Sequence, residues 1–584
     1  MVLQRVLLPQ VNDEAINSLY FRTDSGVFSN GKIFSEKGGI CSFNTYYGSF
    51  SFSKWHKYTL IDKAELHVVL NGEFLIKLYN TDTDGKDMLL CEKKINGSAT
   101  IPFDNGNIIW FSVECMSDKG IFEEAYFVSD DLKESDKKEV TLAAVICTYR
   151  RENFVERNLS ELEKNIINNP LSSLYGKFSL TVCDNGHTLK ERRDNGITVL
   201  HNKNAGGAGG FARGMIEVYE RQKTETVSHI LLMDDDVKFE TESIERTAVF
   251  FSIIKPEYED AFIGGAMFRT DDPIIQNEMA NRWENNNVKA LKRFKNMTEW
   301  ENVVRNENEE DINYFSWWYC CMPTNIIRED NLPMPVFIKR DDIEYGLRNG
   351  KHFITLNGIN VWHEPFENKR PAFLEYYYIR NQLIMEAFLN SGFDAVKLKK
   401  KLFKQMKTDI FTFRYLESEI RFEGVRDFLK GASFLKETDP EELNAKIIGM
   451  GRKLKPIEEF DVKPDMREYE FNKKPKESKI RKLVRKATLN GWLLPSFKTV
   501  TLPAAFPKPT SCFMKKRALN YDESSDKAFV TEKSVKKAVA CVRNYFKLCK
   551  EIDGSFESAR ESYIENKNIL IGMEFWKKYL NLSE

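Results

Sequence analysis

The chain has 584 residues, and its 86 Lys and Arg almost balance its 87 Asp and Glu, for a formal net charge of −1. That balance excludes a protein drawn to nucleic acid by its overall field, so any basic patch has to be local. The length exceeds what a single hydrophobic core organises, and two to four domains are expected.

The ten cysteines show no C-x-x-C spacing, and most sit in apolar stretches, as reduced core thiols do in a reducing compartment. The N-terminus lacks a basic segment leading into an apolar run, the mark of a signal peptide. No window approaches the roughly 18 apolar residues that a membrane-spanning helix requires. A soluble, cytoplasmic protein is the expectation.

Residues 1 to about 135 read as β-rich. Tyr46 to Trp55, Glu65 to Leu70, Glu73 to Tyr79, Met88 to Cys91 and Ile108 to Val113 are short runs of aromatic and β-branched residues. Asn71-Gly72 between two of them is a hairpin signal. Strands at this spacing predict a β-sandwich. Tyr46, Tyr47, Phe50, Phe52 and Trp55 suit either a sugar-binding platform or, more simply, core packing. Asp130 to Glu139 is charged and poor in apolar residues, as a boundary would be.

From Val140 the rhythm changes. Strands are predicted at Thr141 to Cys147, Phe178 to Cys183, Ile197 to Leu200 and Ile230 to Met233, with helices at Asn153 to Asn168 and Phe211 to Gln222. Strand and helix alternate and each strand ends in polar residues, which is the doubly wound α/β pattern. The fourth strand runs into Asp234-Asp235-Asp236. Three adjacent carboxylates repel one another unless a cation shares them, and alternation along an extended chain lets Asp234 and Asp236 face one ion. Gly206, Gly207, Gly209 and Gly210 bare the backbone ahead of a helix, which suits a phosphate or a flexible turn; the spacing fits neither the dinucleotide fingerprint nor the P-loop.

Further on, Phe315 to Met322 combines strand propensity with Trp317 and Trp318. The apolar run Val336-Phe337-Ile338 reads as a strand or its approach, delivering Asp341 and Asp342. Trp362-His363-Glu364 offers a histidine in a predicted loop, a fair partner for an acidic cation site. From Pro371 onward the reading is helical. Lys397 to Lys404 and Lys479 to Lys486 are basic with interleaved apolar residues, followed after the second by Trp492, Leu493 and Leu494; such stretches are solvated faces or contacts for anionic lipid.

In this order, Thr148-Tyr-Arg-Arg151, Asn204-x-Gly-Gly-x-Gly-Gly-Phe-Ala-Arg213-Gly, Asp234-Asp-Asp236, Trp317-Trp318, Phe337-Ile-Lys-x-Asp341-Asp342-x-x-Tyr345-Gly346 and Trp362-His363 resemble the inverting GT-A glycosyltransferases of family two. More specifically they are similar to bacterial galactofuranosyltransferases of the galactan-polymerising type. The resemblance implies a multidomain α/β protein: a β-sandwich over 1–135, a Rossmann-like GT-A core over 136–385 and a helical C-terminal region over 386–584. It implies that Asp234, Asp236 and His363 hold Mn²⁺ or Mg²⁺, that Arg151, Asn204 and Asp235 bind the nucleotide, that Trp317, Trp318 and Asp341 meet the acceptor, and that Asp342 is the general base. The implied partners are a UDP-sugar, galactofuranose leading, and a glycan acceptor that is lipid-linked in one version. Peripheral contact with the inner face of the cell membrane and homo-oligomerisation are further expectations. UDP-glucose, UDP-galactopyranose or dTDP-rhamnose as donor, and a non-catalytic carbohydrate-binding protein, are the alternatives. The sequence departs from the pattern at Glu364-Pro365, directly after the expected ligand.

Overall fold

The structure, a computed structural model, describes residues 1–10, 13–130, 132–365 and 371–582. Three segments are expected from sequence; the chain divides into two compact units. One is Met1–Lys203, Gly210–Arg328 and Tyr345–Glu364, the other Asn204–Gly209, Glu329–Glu344 and Pro365–Glu584.

In the first unit the N-terminal residues form a nine-stranded antiparallel sheet. Its organising strand is β1 (Ala64–Thr81), which pairs along one edge with β2 (Asp87–Phe103). Its other edge is shared: the first half takes β4 (Lys119–Val128) and the second half β3 (Ile108–Cys115). The change of partner falls at Asn71-Gly72, where the register shifts and Gly72 takes φ 107°. The predicted hairpin is therefore a bulge, because the backbone freedom of glycine serves here to bend one continuous strand. Through β1 the two wings are hydrogen-bonded into one sheet. Phe111 from β3 and Phe122 from β4 both lie on Phe43, at ring distances of 4.4 and 4.7 Å.

The stretch Tyr46 to Trp55, expected as a strand, is a turn followed by helix α1 (Phe52–Tyr58). Phe52, Trp55 and Tyr58 recur three apart, and that spacing buries one helical face. Tyr46, Tyr47, Phe50 and Trp55 are all at 0% exposure, so they are core and no sugar can stack on them. Trp55 meets Phe250 at 4.8 Å, and the Leu60 amide donates to Ile253. This N-terminal sheet thus shares a hydrophobic core with the α/β part that follows.

That part is built on an eight-stranded sheet. Four parallel neighbours form its centre: β7 (Ile197–His201), β6 (Phe178–Asp184), β5 (Leu142–Thr148) and β8 (His229–Asp234). Their near-continuous apolar runs reflect burial on both faces. Beyond β8 come β12 (Tyr319–Pro323), antiparallel to it, and β10 (Phe262–Gly264), antiparallel to β12. A second, five-stranded sheet contains β9 (Lys238–Phe239), β13 (Asn360–His363) and β11 (Ala266–Arg269) as neighbours. Helices α2 (Glu152–Leu162) and α4 (Glu242–Ser252) accompany the strands.

Helix α3 (Gly206–Arg221) starts five residues earlier than expected, inside the glycine run. A Cβ on Gly210 would stand 2.1 Å from Cys147 Sγ, and one on Gly214 2.1 Å from Val145 Cγ1. Four residues apart, these glycines share the face that α3 lays against β5, so close helix-to-strand packing accounts for them.

The second unit is largely helical, with α6 (Leu374–Phe388), α7 (Ala395–Phe411), α8 (Tyr415–Leu429), α9 (Lys479–Ala487) and α10 (Val535–Leu570). The longest of these helices, α10, runs for 36 residues. The region also holds a four-stranded sheet, with β14 (Phe497–Pro503), β15 (Lys515–Asp522) and β16 (Lys527–Glu532), which the helical reading omitted. Thr499-Val-Thr-Leu502 and Ala528-Phe-Val-Thr531 carry the β-branched content that signals it. Among the described residues no helix is long and apolar enough to cross a membrane.

Candidate active site

The parallel registers place Thr148 beside Asp184, and Cys147 beside Asp234, at the carboxyl ends of adjacent strands. Open α/β sheets bind ligands at that edge. Asp234 ends β8, and two residues after Asp236 the short strand β9 pairs antiparallel with β13, Lys238 opposite Trp362. Continuing that register puts His363 opposite Val237, next to Asp236. His363 Nε2 lies 3.2 Å from Asp236 Oδ1 and 3.7 Å from Asp234 Oδ2. The Glu364-Pro365 departure has not displaced it.

One ligand atom from each of Asp234, Asp236 and His363 fits within a 4.8 Å span. Asp236 Oδ1 is buried, 3.2 Å from the imidazole, and among the described residues has no hydrogen-bond partner besides it. Two carboxylate oxygens and one imidazole nitrogen form a donor set suited to Mn²⁺ or Mg²⁺. Burial alone would raise Asp236; His363 and Arg151 outweigh it and bring the carboxyl down to about 2. Burial opposes a proton on His363, yet Asp236 and Asp234 draw its pKa upward.

Asp235 points the other way. It accepts from Thr148 Oγ1 at 2.7 Å and from Arg151 Nη1 at 2.9 Å. Arg151 Nη1 also reaches Asp236 Oδ2 at 2.6 Å, so this guanidinium bridges the second and third acids while keeping 43% of its side chain exposed. Asn158 Nδ2 donates to the Asp235 carbonyl and Arg157 Nη2 to that of Val237. Thr148, Arg157 and Asn158 thus fix the acidic turn. The sequence reading had no role for them, and an amphipathic helix offers no sign that two of its polar residues face a strand end.

Asp184, also at this edge, is wholly buried and accepts from the Gly186, Thr188 and Leu189 amides. It shapes its loop. Trp317 is 5% exposed, with its ring edge-on to Phe211 at 5.1 Å and Tyr345 at 5.9 Å. Trp318 is 3% exposed, belongs to the hydrophobic core and donates its indole N–H to the Gly265 carbonyl.

Asn204, Asp341 and Asp342 belong to the second unit. Asn204 Oδ1 accepts from the Gly206 amide, and its own amide donates to Glu441, so it caps the turn into α3. The Ala208 amide donates to the Phe337 carbonyl, and a Cβ on Gly207 would stand 4.0 Å from Asp341 Oδ2. The glycine turn therefore packs on the loop ahead of the acid pair. The run Val336-Phe337-Ile338, read as a strand or its approach, is no strand but part of a loop in which Phe337, Lys339 and Arg340 take φ of 73°, 69° and 81°. Helix α5 (Asp341–Asn349) follows, with both acids in its first turn, where the helix dipole favours negative charge. Burial first, and then the Asp342 carboxylate, raise the pKa of Asp341.

Residues 3–130 match the family described as Galactofuranosyltransferase 2 N-terminal. Galactofuranosyltransferase GlfT2 of Mycolicibacterium smegmatis is 26% identical over 424 residues, 67% of this chain and 64% of that protein. Its counterpart from Mycobacterium tuberculosis is 24% identical over 429 residues, 67% of this chain and 65% of that protein. The chain is thus similar to galactofuranosyltransferases along two thirds of its length, and the match spans just under two thirds of those relatives. Among solved structures, a mannosyltransferase from Pyrobaculum calidifontis in complex with GDP-Man and Mn²⁺ gives a TM-score of 0.27 at 11% identity, covering 44% of this chain and 66% of that one. A likeness at that level carries no argument.

Proposed function

We propose that this protein is an inverting, metal-dependent glycosyltransferase that moves galactofuranose from UDP-galactofuranose to a hydroxyl of a glycan acceptor in cell-surface polysaccharide synthesis. In this reading residues 136–385 are a GT-A core, preceded by a β-sandwich and followed by the helical C-terminal region. The observation that carries it is the convergence of Asp234, Asp236 and His363 at the end of β8. The similarity to galactofuranosyltransferases supports the choice of donor.

Asp234, Asp236 and His363 would hold the divalent ion, which neutralises the negative charge of a departing diphosphate. Arg151, kept in place by Asp235, is a half-exposed cation beside those ligands and suits the nucleotide diphosphate. Asn204 completes the nucleotide set. Asp342 takes the proton of the attacking acceptor hydroxyl, and direct displacement at the anomeric carbon inverts its configuration. Asp341, Trp317 and, as backing from the core, Trp318 serve the acceptor; an aromatic ring suits the apolar face of a sugar.

Helix α9 supports a peripheral membrane role near a lipid-linked acceptor. It buries none of its residues, and Ile480 and Leu483 are 77% and 70% exposed amid Lys479, Arg481, Lys482, Arg485 and Lys486. Apolar side chains flanked by cations suit an anionic headgroup layer.

The test is product analysis by NMR after incubation with UDP-galactofuranose, Mn²⁺ and a galactofuranosyl oligosaccharide. New galactofuranosyl linkages, absent when UDP-galactopyranose, UDP-glucose or dTDP-rhamnose is supplied, are expected. Transfer from one of those donors instead would overturn the donor assignment, and no transfer from any would favour a carbohydrate-binding protein.

A further inference from the structure

Residues 337–340 hold three side-chain-bearing residues in the left-handed region immediately before Asp341. Each is disfavoured by contact between Cβ and the following carbonyl, so a segment with three of them persists only where its surroundings impose it. The restraint comes from two adjacent residues of α6, Arg380 and Asn381, 1% and 0% exposed. The Asn381 Nδ2 donates towards three loop carbonyls, Val336 at 3.0 Å, Ile338 at 2.6 Å and Lys339 at 3.1 Å. Two hydrogens facing three acceptors require the carbonyls to crowd together, and that demands the left-handed curl.

Arg380 fixes the amide. Its Nε donates to Asn381 Oδ1 at 2.9 Å, which turns the NH₂ end towards the loop, and its Nη2 donates to the Val336 carbonyl at 2.9 Å. The guanidinium lies over the rings of Tyr376 and Tyr377, at 5.0 and 5.2 Å, and Tyr376 is anchored in turn by its hydroxyl on Asp427. The Phe337 ring stacks on Tyr377 at 5.6 Å. Elsewhere on the loop the Ala208 amide donates to the Phe337 carbonyl, and a Cβ on Gly206, itself at φ +70°, would come within 2.1 Å of that oxygen. All of these residues belong to the second unit.

We propose that Asn381, locked by Arg380, is a positioning residue for the reaction: it holds the 336–339 carbonyls in the curl that aims the first turn of α5, and with it Asp342. The inference rests on the reading of Asp342 as the base. Neither Asn381 nor Arg380 touches substrate in that reading. Without the amide, residues 337–340 relax towards negative φ, the first turn of α5 rotates, and the hydroxyl-to-carboxylate geometry is lost. A misplacement of about 1 Å costs on the order of 100-fold in rate, although binding elsewhere persists.

The experiment is a double-mutant cycle. Asn381→Ala, Asp342→Asn and the double variant are compared with wild type for kcat, for KM of the donor and for UDP affinity in Mn²⁺. Asn381→Ala should lower kcat about tenfold to 100-fold with UDP affinity essentially unchanged. In the Asp342→Asn background the same substitution should change the residual rate by less than about twofold, because residues acting through one group are non-additive. Equal losses in both backgrounds, a parallel fall in UDP affinity, or an unaltered kcat would overturn the clamp. If Asn381→Ala fails to fold, Arg380→Lys, which keeps the charge and removes the Nε–H donor, undergoes the same cycle with the same criteria. A fully active Asp342→Asn enzyme would overturn the base assignment alone, and the clamp is then decided by whether Asn381→Ala loses kcat at constant UDP affinity.

Discussion

His363 Nε2 stands 3.2 Å from Asp236 Oδ1, and the pairing of β9 with β13 brings them there. The acidic turn closes a strand of one sheet, and the imidazole ends a strand of another. Lys238 and Phe239 link the two, since this two-residue strand follows the acids directly and pairs with Trp362 and Val361. The site depends on backbone register as much as on its three side chains.

The glycines of α3 yield a stability prediction. Gly214 has no room for a Cβ, whereas a Cβ on Gly554, exposed within α10, meets nothing within 4 Å. Gly214→Ala should destabilise the protein by about 1–3 kcal/mol through overpacking against Val145. Gly554→Ala should stabilise it by up to about 1 kcal/mol through helix propensity. Urea unfolding of both variants checks the pair, and a Gly214→Ala protein as stable as wild type would show that α3 can move away from β5.

Glu242 yields a pH prediction. Burial lifts its carboxyl to about 7, against the opposing pull of Arg246 and of the Arg5 backbone amide and with Glu245 adding to the rise. The folded state then holds a proton that the unfolded state has released, so stability is lost as pH rises from about 4.5 to 7. Glu242→Gln, which retains an acceptor for the Arg5 amide, should narrow the difference in unfolding free energy between pH 5 and pH 8 by up to about 3 kcal/mol. Equal pH dependence in variant and wild type would place the Glu242 pKa near its ordinary value.

The exposed face of α9 predicts lipid binding that falls as salt rises. Each basic residue near an anionic surface contributes about 1 kcal/mol. Replacing Ile480, Leu483 and Val484 with Ser should abolish sedimentation with anionic liposomes without changing transfer to a short water-soluble acceptor. Undiminished sedimentation of the triple variant would reduce α9 to a solvated helix.

Much of this architecture is legible in the chain, and the exceptions have physical causes. The buried strands around Val145, Val182 and Leu231 show as unbroken apolar runs because both faces are covered. Asp234, Asp236 and His363 could be grouped because carboxylates that crowd need a cation. Asn71-Gly72 misleads, since a glycine at positive φ serves a bulge as readily as a turn, and only the pairing of β1 with two successive neighbours decides between them. The run at Phe337 looks like a strand because apolarity carries no record of φ. What bends it is Asn381, far along the chain, whose trace in the sequence is the polar Arg380-Asn381-Gln382 step between Ile379 and Leu383 of α6. Thr499 to Leu502 carried a strand signal that the neighbouring helices obscured.

The measurement that bears most directly on the transferase reading is UDP release from UDP-galactofuranose, with and without glycan acceptor, by wild type and Asp236→Ala in Mn²⁺ and in EDTA. Wild type in Mn²⁺ should show acceptor-dependent release that is lost in EDTA and recovered on adding Mn²⁺, and Asp236→Ala should show a loss of about 100-fold or more that Mn²⁺ does not restore. Full activity of wild type in EDTA, or of Asp236→Ala in either condition, would contradict it.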